Sequence, residues 1–187
     1  MSKKGRTILF IDNSYAFSGM TAAGWRFSWA KLQDVIEEEG ELAEVHFFAS
    51  EHRPPKENQR NFYSMLNHHL GFTLHLGETK QKTVYVPSNT DGKDIPRTIY
   101  LDQGLDVALV TWLLKLVINE AFDTAIILSG HGDYCEAVQT VKDQGCSIEL
   151  IGWRNSVSKA LAELADAPIL YLDDIQDKII RDEDNFL

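Results

Sequence analysis

Residues Thr124–Tyr134 read TAIILSGHGDY. Thr124, Ala125, Ile126, Ile127 and Leu128 make a short apolar, β-branched run, Ser129-Gly130-His131-Gly132-Asp133 follows, and a helical pattern opens at Tyr134. This order predicts a buried strand, a tight turn and a helix. Unbroken apolarity means that both faces of the strand are covered, the condition of a parallel sheet with helices on each side. Two glycines let the backbone turn where a side chain would clash. The turn thus delivers His131 and Asp133 to the carboxyl edge of the sheet, where open α/β folds keep their ligands.

The rest of the chain repeats the pattern on either side. Thr7–Ile11 (TILFI) is an apolar run ending in Asp12-Asn13-Ser14, so the first strand also ends on a carboxylate. A glycine-containing loop (Ser18, Gly19, Gly24) is expected next, then an amphipathic helix over Trp25–Glu39 stopped by Gly40. Ala43–Ala49 reads as a strand, and Phe62, Met65, Leu66 and Leu70 mark a helix. Phe72–Leu76 and Lys82–Pro87 read as strands, and Ser88–Arg97 as a loop or hairpin tip with an Asp-Gly turn signal, from which Thr98–Leu101 returns. Gly104–Ala121 is the longest helical pattern, with Asp106 near its start. After the central strand come a helix (Tyr134–Gln144), a strand (Ser147–Ile151), a helix (Ser156–Ala165) and a strand (Pro168–Leu172). Strands alternating with helices predict βαβ units in a three-layer α/β sandwich with a mainly parallel sheet.

At 187 residues, with 44% hydrophobic and 25% charged, the composition is that of one ordinary globular domain. No run approaches the roughly 18 apolar residues that span a bilayer, and no signal-peptide core is legible near residue 1, so a cytoplasmic protein with no membrane partner is expected. Cys135 and Cys146 lack metal-knuckle or redox spacing. The net charge is −10, from 28 acidic and 18 basic residues. That balance opposes binding nucleic acid by charge alone, which depends on Lys and Arg displacing counterions from phosphates. Part of the excess is local, in an acidic segment (174–187) beyond the domain proper (1–173). Solubilising end, RNA mimic and partner-binding segment are the three readings of that tail.

Three carboxylates share one edge in this scheme: Asp12 ends the first strand, Asp133 follows the central one, and Asp106 opens the long helix. Two unit charges about 5 Å apart repel by roughly 3 kcal/mol at an effective dielectric near 20, so three together need compensation. A hard divalent cation supplies it, and Mg²⁺ takes one or two carboxylates, keeps waters and accepts phosphate oxygens. Each aspartate has a plainer reading as a turn former or helix cap. Asn13 and Ser129 either orient a ligand at this edge or satisfy turn hydrogen bonds. His46, His52 and His75 show no ligand spacing. Gly130–Cys135 approximates a dinucleotide fingerprint but lacks its third glycine, and Asp133 would stand beside the pyrophosphate, so no nucleotide-cofactor site is assigned.

FIDNS (Phe10–Ser14), GLDVALVTWLL (Gly104–Leu114), DTAIILSGHGDY (Asp123–Tyr134) and IGWRNSVSKALAELADAPILYLD (Ile151–Asp173) together resemble the bacterial NYN domain family, a PIN-like group that includes LabA-type proteins. The resemblance implies a Rossmann-like PIN fold and a metal-dependent ribonuclease, in which acidic residues bind Mg²⁺ or Mn²⁺ and activate water against an RNA phosphodiester. On it, Asp12, Asp106 and Asp133 match the family's acids and would be catalytic metal ligands. His131 would be a fourth ligand or proton carrier, and Asn13, Ser129 and Arg154 would position substrate. Arg53, Lys56, Lys93 and Arg97 are further candidates to guide the strand. RNA is the implied partner, and a homodimer is left open.

The chain departs from the family where His131 replaces the first acid of an S-G-D-x-D segment and Trp112 another acid. Imidazole ligates Mn²⁺ better than Mg²⁺, which shifts the metal; alternatively an imidazolium stands in for the metal and the domain is a catalytically degenerate regulator that binds RNA or a protein.

Overall fold

The computed structural model describes residues 5–52, 54–87, 94–102 and 104–182. Their strands are β1 (Thr7–Asp12), β2 (Leu42–Glu51), β3 (Thr73–Pro87), β4 (Asp94–Asp102), β5 (Thr124–Leu128), β6 (Ser147–Gly152) and β7 (Leu170–Tyr171), forming one sheet in the order β4-β3-β2-β1-β5-β6-β7. All neighbours pair in parallel except β3 with β4. The chain builds outward from β1 to β2 and β3, then crosses to β5 and builds the other way. Its topological switch therefore lies between β1 and β5, where such folds open a crevice at the strands' carboxyl ends.

Every residue of β1 and β5 is buried. Leu9, Ile11, Ile126 and Leu128 face a core completed by Phe47, Trp29, Leu32 and Leu66, while Ile8, Phe10, Ala125 and Ile127 face a second core with Leu109, Leu113, Val138 and Leu161. This alternation, with apolar side chains on both faces, makes the strands unbroken apolar runs in sequence. The first layer holds α1 (Asn13–Ala23), α2 (Trp29–Glu37) and α3 (Glu57–His68); the second holds α4 (Leu105–Ile118), α5 (Cys135–Asp143) and α6 (Lys159–Ala162).

Two expectations need correction. Phe72–Leu76 and Lys82–Pro87 are one strand: β3 pairs with β2 through Glu78 and then continues from Thr79 antiparallel to β4, whose Pro96 is compatible with an edge strand. The Asp-Gly turn signal falls in 88–93, outside the described residues. The expected loop at Ser18–Gly24 is α1, and the helix expected from Trp25 starts at Trp29 behind a Ser28 cap. Gly19 is a packing site rather than a breaker, since a Cβ there would meet the Trp153 indole at 1.9 Å. Beyond Asp173, residues 174–182 lie against the first core. A 3₁₀ turn (Leu172–Ile175) leads into α7 (Gln176–Ile179); Ile179 is 0% exposed, its carbonyl accepts from Ser28 N at 2.9 Å, and Lys31 pairs with Asp182 at 3.0 Å. Acidic neighbours obscure that packing in the sequence, where Ile175 and Ile179 carry it.

The second layer also contains an imidazole pair that spacing did not reveal. His46, 2% exposed, bonds Glu44 through Nε2 and His75 through Nδ1, both at 2.8 Å. Trp112, on α4, lies 4.6 Å from the His75 ring, and Lys115 sits 4.4 Å above the indole. Burial and the facing His46 hold the His75 imidazole down at about 4.

Ile179→Ala should destabilise the domain by about 2–5 kcal/mol in urea unfolding, the range for emptying a closed aliphatic site; an effect near zero would show that residues 174–182 contribute nothing to the fold's stability. Because His75 takes its proton more easily unfolded (6.5) than folded (about 4), stability should fall as pH drops through that window. The loss is on the order of 1–2 kcal/mol once partial solvent screening is allowed for. His75→Gln, which keeps a donor for His46 but does not titrate, should flatten that part of the pH–stability curve.

Candidate active-site edge

The crevice at the switch point is built around Asp12, 4% exposed at the end of β1. Its Oδ1 accepts from the Ser14 hydroxyl at 2.7 Å and from Tyr15 N at 3.1 Å, so the same carboxylate caps α1. Its Oδ2 accepts from the Ser129 hydroxyl at 3.0 Å and faces the Tyr134 hydroxyl at 3.2 Å. A carboxylate offers about four lone-pair directions. Three have donors of their own and the phenol stands at the fourth.

That phenol also donates to Asp106 Oδ1 at 2.8 Å. A single hydroxyl hydrogen is therefore shared between two carboxylates, one buried and one exposed. Burial, with Asp12 and Asp106 both facing the ring oxygen, raises the phenol far above the usual tyrosine range, so it stays a neutral donor. Tyr134 itself is 1% exposed, packed in the second core with residues of α4 and α5.

The loop after β6 closes the other side. Tyr15 accepts from Trp153 N at 2.9 Å and bonds the Ser156 hydroxyl at 2.6 Å, while Ser158 N donates to the Gly130 carbonyl at 2.9 Å. A Cβ at Gly130 would lie 2.3 Å from the Ser156 carbonyl oxygen, so this position of the turn admits only glycine. His131 extends over the crevice, half-exposed, with its ring edge against Tyr15 and Tyr134 and Nε2 3.8 Å from Asp12 Oδ2, within ion-pair range when protonated.

The sequence-expected residues thus divide. Asp12, Asp106, Ser129 and His131 meet at one edge. Asp133 lies exposed in the 3₁₀ turn Gly132–Tyr134, and the next residue, Tyr134, turns inward in its place. Asn13 opens α1 beside Asp12. Arg154 is held elsewhere, with its guanidinium on the Asp174 carboxylate and stacked 4.7 Å from the Tyr171 ring centre. Lys56 is exposed; Arg53, Lys93 and the Arg97 side chain fall outside the described residues. Sequence reasoning missed Tyr134, Ser14 and Tyr15. Tyr134 looked like one more apolar residue at a helix start, and nothing local shows that its hydroxyl reaches two acids 122 and 28 positions away.

A divalent ion does not fit the edge as it stands. Among the described residues, no three His, Cys, Asp or Glu side chains come together to hold one. An ion bridging Asp12 and Asp106 at about 2.0–2.1 Å from each would compete for the space the phenol oxygen fills.

Sheet order, covered faces and an acid pair at the switch point define a Rossmann-like α/β domain of the PIN type. The NYN domain model matches residues 6–173. The chain belongs to the NYN domain family, whose members are grouped with the ribonucleases. Among solved structures it is similar to a protein of unknown function from Vibrio parahaemolyticus, at 18% identity with a TM-score of 0.69, covering 97% of this chain and 99% of that one. That likeness concerns the fold. No curated protein matches the chain. Among the described residues, no helix is long and apolar enough to cross a membrane.

If the Asp12 carboxylate is the keystone of this edge, Asp12→Asn, which brings two N–H donors among four existing ones, should cost about 2 kcal/mol or more in chemical denaturation. Asp106→Asn, at an exposed position that still accepts from Tyr134, should stay within about 0.5–1 kcal/mol of the natural protein.

Proposed function

We propose that this NYN domain binds RNA at the carboxyl edge of its sheet and is catalytically degenerate, acting as a regulator and not as a metal-dependent nuclease. The observation that carries the reading is the Tyr134 hydroxyl at 3.2 Å from Asp12 and 2.8 Å from Asp106. A neutral phenol performs there, by hydrogen bonding, the charge compensation that a metal ion would otherwise supply. Freeing the site would strand a buried hydroxyl or expel a fully packed ring, and leaving a buried polar group unpaired costs about 1–3 kcal/mol. His131 and Trp112 support the same reading. The first sets an imidazole where the family carries an acid, and the second fills another acid position with an indole packed on His75. RNA as the ligand class rests on family membership.

A second reading, a metal-dependent ribonuclease, is favoured by the convergence of Asp12 and Asp106 at the switch point. A cleavage assay with Mg²⁺ or Mn²⁺ on structured and unstructured RNA, run beside a binding assay, separates the two. The expected result is retention of RNA without metal-dependent cleavage. In calorimetry, the double substitution His131→Asp with Tyr134→Phe should gain Mn²⁺ affinity of at least about tenfold, or 1.4 kcal/mol. Cleavage by the natural protein that disappears in Asp12→Asn would establish the nuclease instead.

A further inference from the structure

We infer that the cleft between α1, α2 and α3 is a binding site for a nucleotide of single-stranded RNA, adjoining the acid pair. The inference rests on the RNA reading above and gives it a location. The cleft has a volume of about 480 Å³, within the usual size of a small-molecule site. It begins at Asn13, the residue after Asp12, and follows one stripe of α1 through Phe17 and Met20. The cleft and the Asp12–Tyr134–Asp106 edge are thus neighbouring parts of one surface.

Charge identifies the occupant. In a chain whose acids outnumber its bases 28 to 18, no Asp or Glu lines this cleft among the described residues, whereas Arg26, Lys56 and Arg181 do. Such segregation supplies the local cationic surface that a net-acidic protein needs to hold phosphate. Arg26 and Lys56 are both exposed. Aromatic rings complete the chemistry. Phe17 is 51% exposed, a large apolar side chain left in water, and the Arg26 guanidinium stands 5.7 Å from its ring centre. A half-exposed aromatic ring with a cation close by suits a base stacked on the ring with its phosphate on the arginine, the pattern of single-strand sites. Phe62 on α3 offers a second ring, and Asn13 and Asn58 bring amide donors and acceptors that can meet base edges. An acidic or apolar peptide would use either the cations or the rings; a nucleotide uses both.

The test is fluorescence anisotropy of the full chain with a labelled single-stranded RNA decamer at several salt concentrations. Phe17→Ala should weaken binding about tenfold, the scale of losing one stacked base, while Phe17→Trp retains it. Arg26→Ala should weaken binding and also lower the slope of log affinity against log salt by roughly 0.7, the signature of one lost phosphate contact. Lys159→Ala, at a 92% exposed side chain on α6, should change affinity little. Thermal unfolding of each variant confirms that the fold is kept. If the natural protein binds RNA and the Phe17 and Arg26 variants bind it equally well, the cleft is not the site and the RNA reading survives. Binding of duplex RNA as tight as the single strand would also overturn the assignment, because paired bases are not free to stack on Phe17. No binding to RNA at all removes the RNA reading, and this site with it.

Discussion

A buried carboxylate must find donors for both of its oxygens or lose its charge, and at the carboxyl edge of this sheet the Asp12 side chain, 4% exposed, meets that demand from three directions of the fold. Ser14 and the Tyr15 amide come from α1, which it caps. Ser129 comes from the turn after β5, and Tyr134 from the start of the next helix. Four donors from elements on both sides of the topological switch tie β1 and β5 together where no ladder hydrogen bond can. The glycines follow from this closeness. Gly130 cannot carry a Cβ because the loop after β6 is drawn against the turn, with its own hydroxyls and amides bonded to Tyr15 and to the Gly130 carbonyl.

The same donors that secure the carboxylate also spend its lone pairs. Structural and ligand-binding uses of Asp12 therefore compete, and the outcome turns on the single position where donor and ligand would overlap, the Tyr134 oxygen. This residue belongs to the second core together with residues of α4, α5 and β6. Its hydroxyl is thus set by packing far from the edge, and the state of the acid pair is coupled to the integrity of that core.

Much of this was legible in the sequence. Continuous apolar runs at Thr7–Ile11 and Thr124–Leu128 announced strands buried on both faces, and the carboxylates at their ends announced the edge. What could not be read were contacts that depend on three-dimensional approach. Gly19 reads as a helix breaker until Trp153 is seen against it, and α1 has too little amphipathic contrast to announce itself, since its buried residues are few. Residues 174–182 read as solvated because acidic residues dominate them, yet buried Ile179 and a backbone bridge between Phe27 and Ile180 hold them against the domain. His46 and His75 meet only through the parallel register of β2 and β3, which pairs Phe48 with His75 and brings the imidazoles together across the ladder. At the site, local pattern placed Asp133 in the right turn but could not show that the next residue, and not Asp133, faces inward.

Magnitudes show what the phenol does for the acid pair. Two carboxylate oxygens that each lie within 3.2 Å of one hydroxyl oxygen are about 6 Å apart at most, and unit charges at that separation repel by roughly 3 kcal/mol at an effective dielectric near 20. Hydrogen bonds to charged groups contribute about 1.5–3 kcal/mol each. The donors gathered at Asp12 and Asp106 are therefore sufficient for a pair of carboxylates. A third carboxylate in place of the His131 imidazole, which lies 3.8 Å from Asp12, would add repulsive pairs that a single shared hydroxyl does not offset. An imidazole at that place adds no negative charge beside Asp12. The imidazole and the inward phenol are on this argument one arrangement: no third negative charge at the pair, and a neutral donor adequate to hold the two that are there.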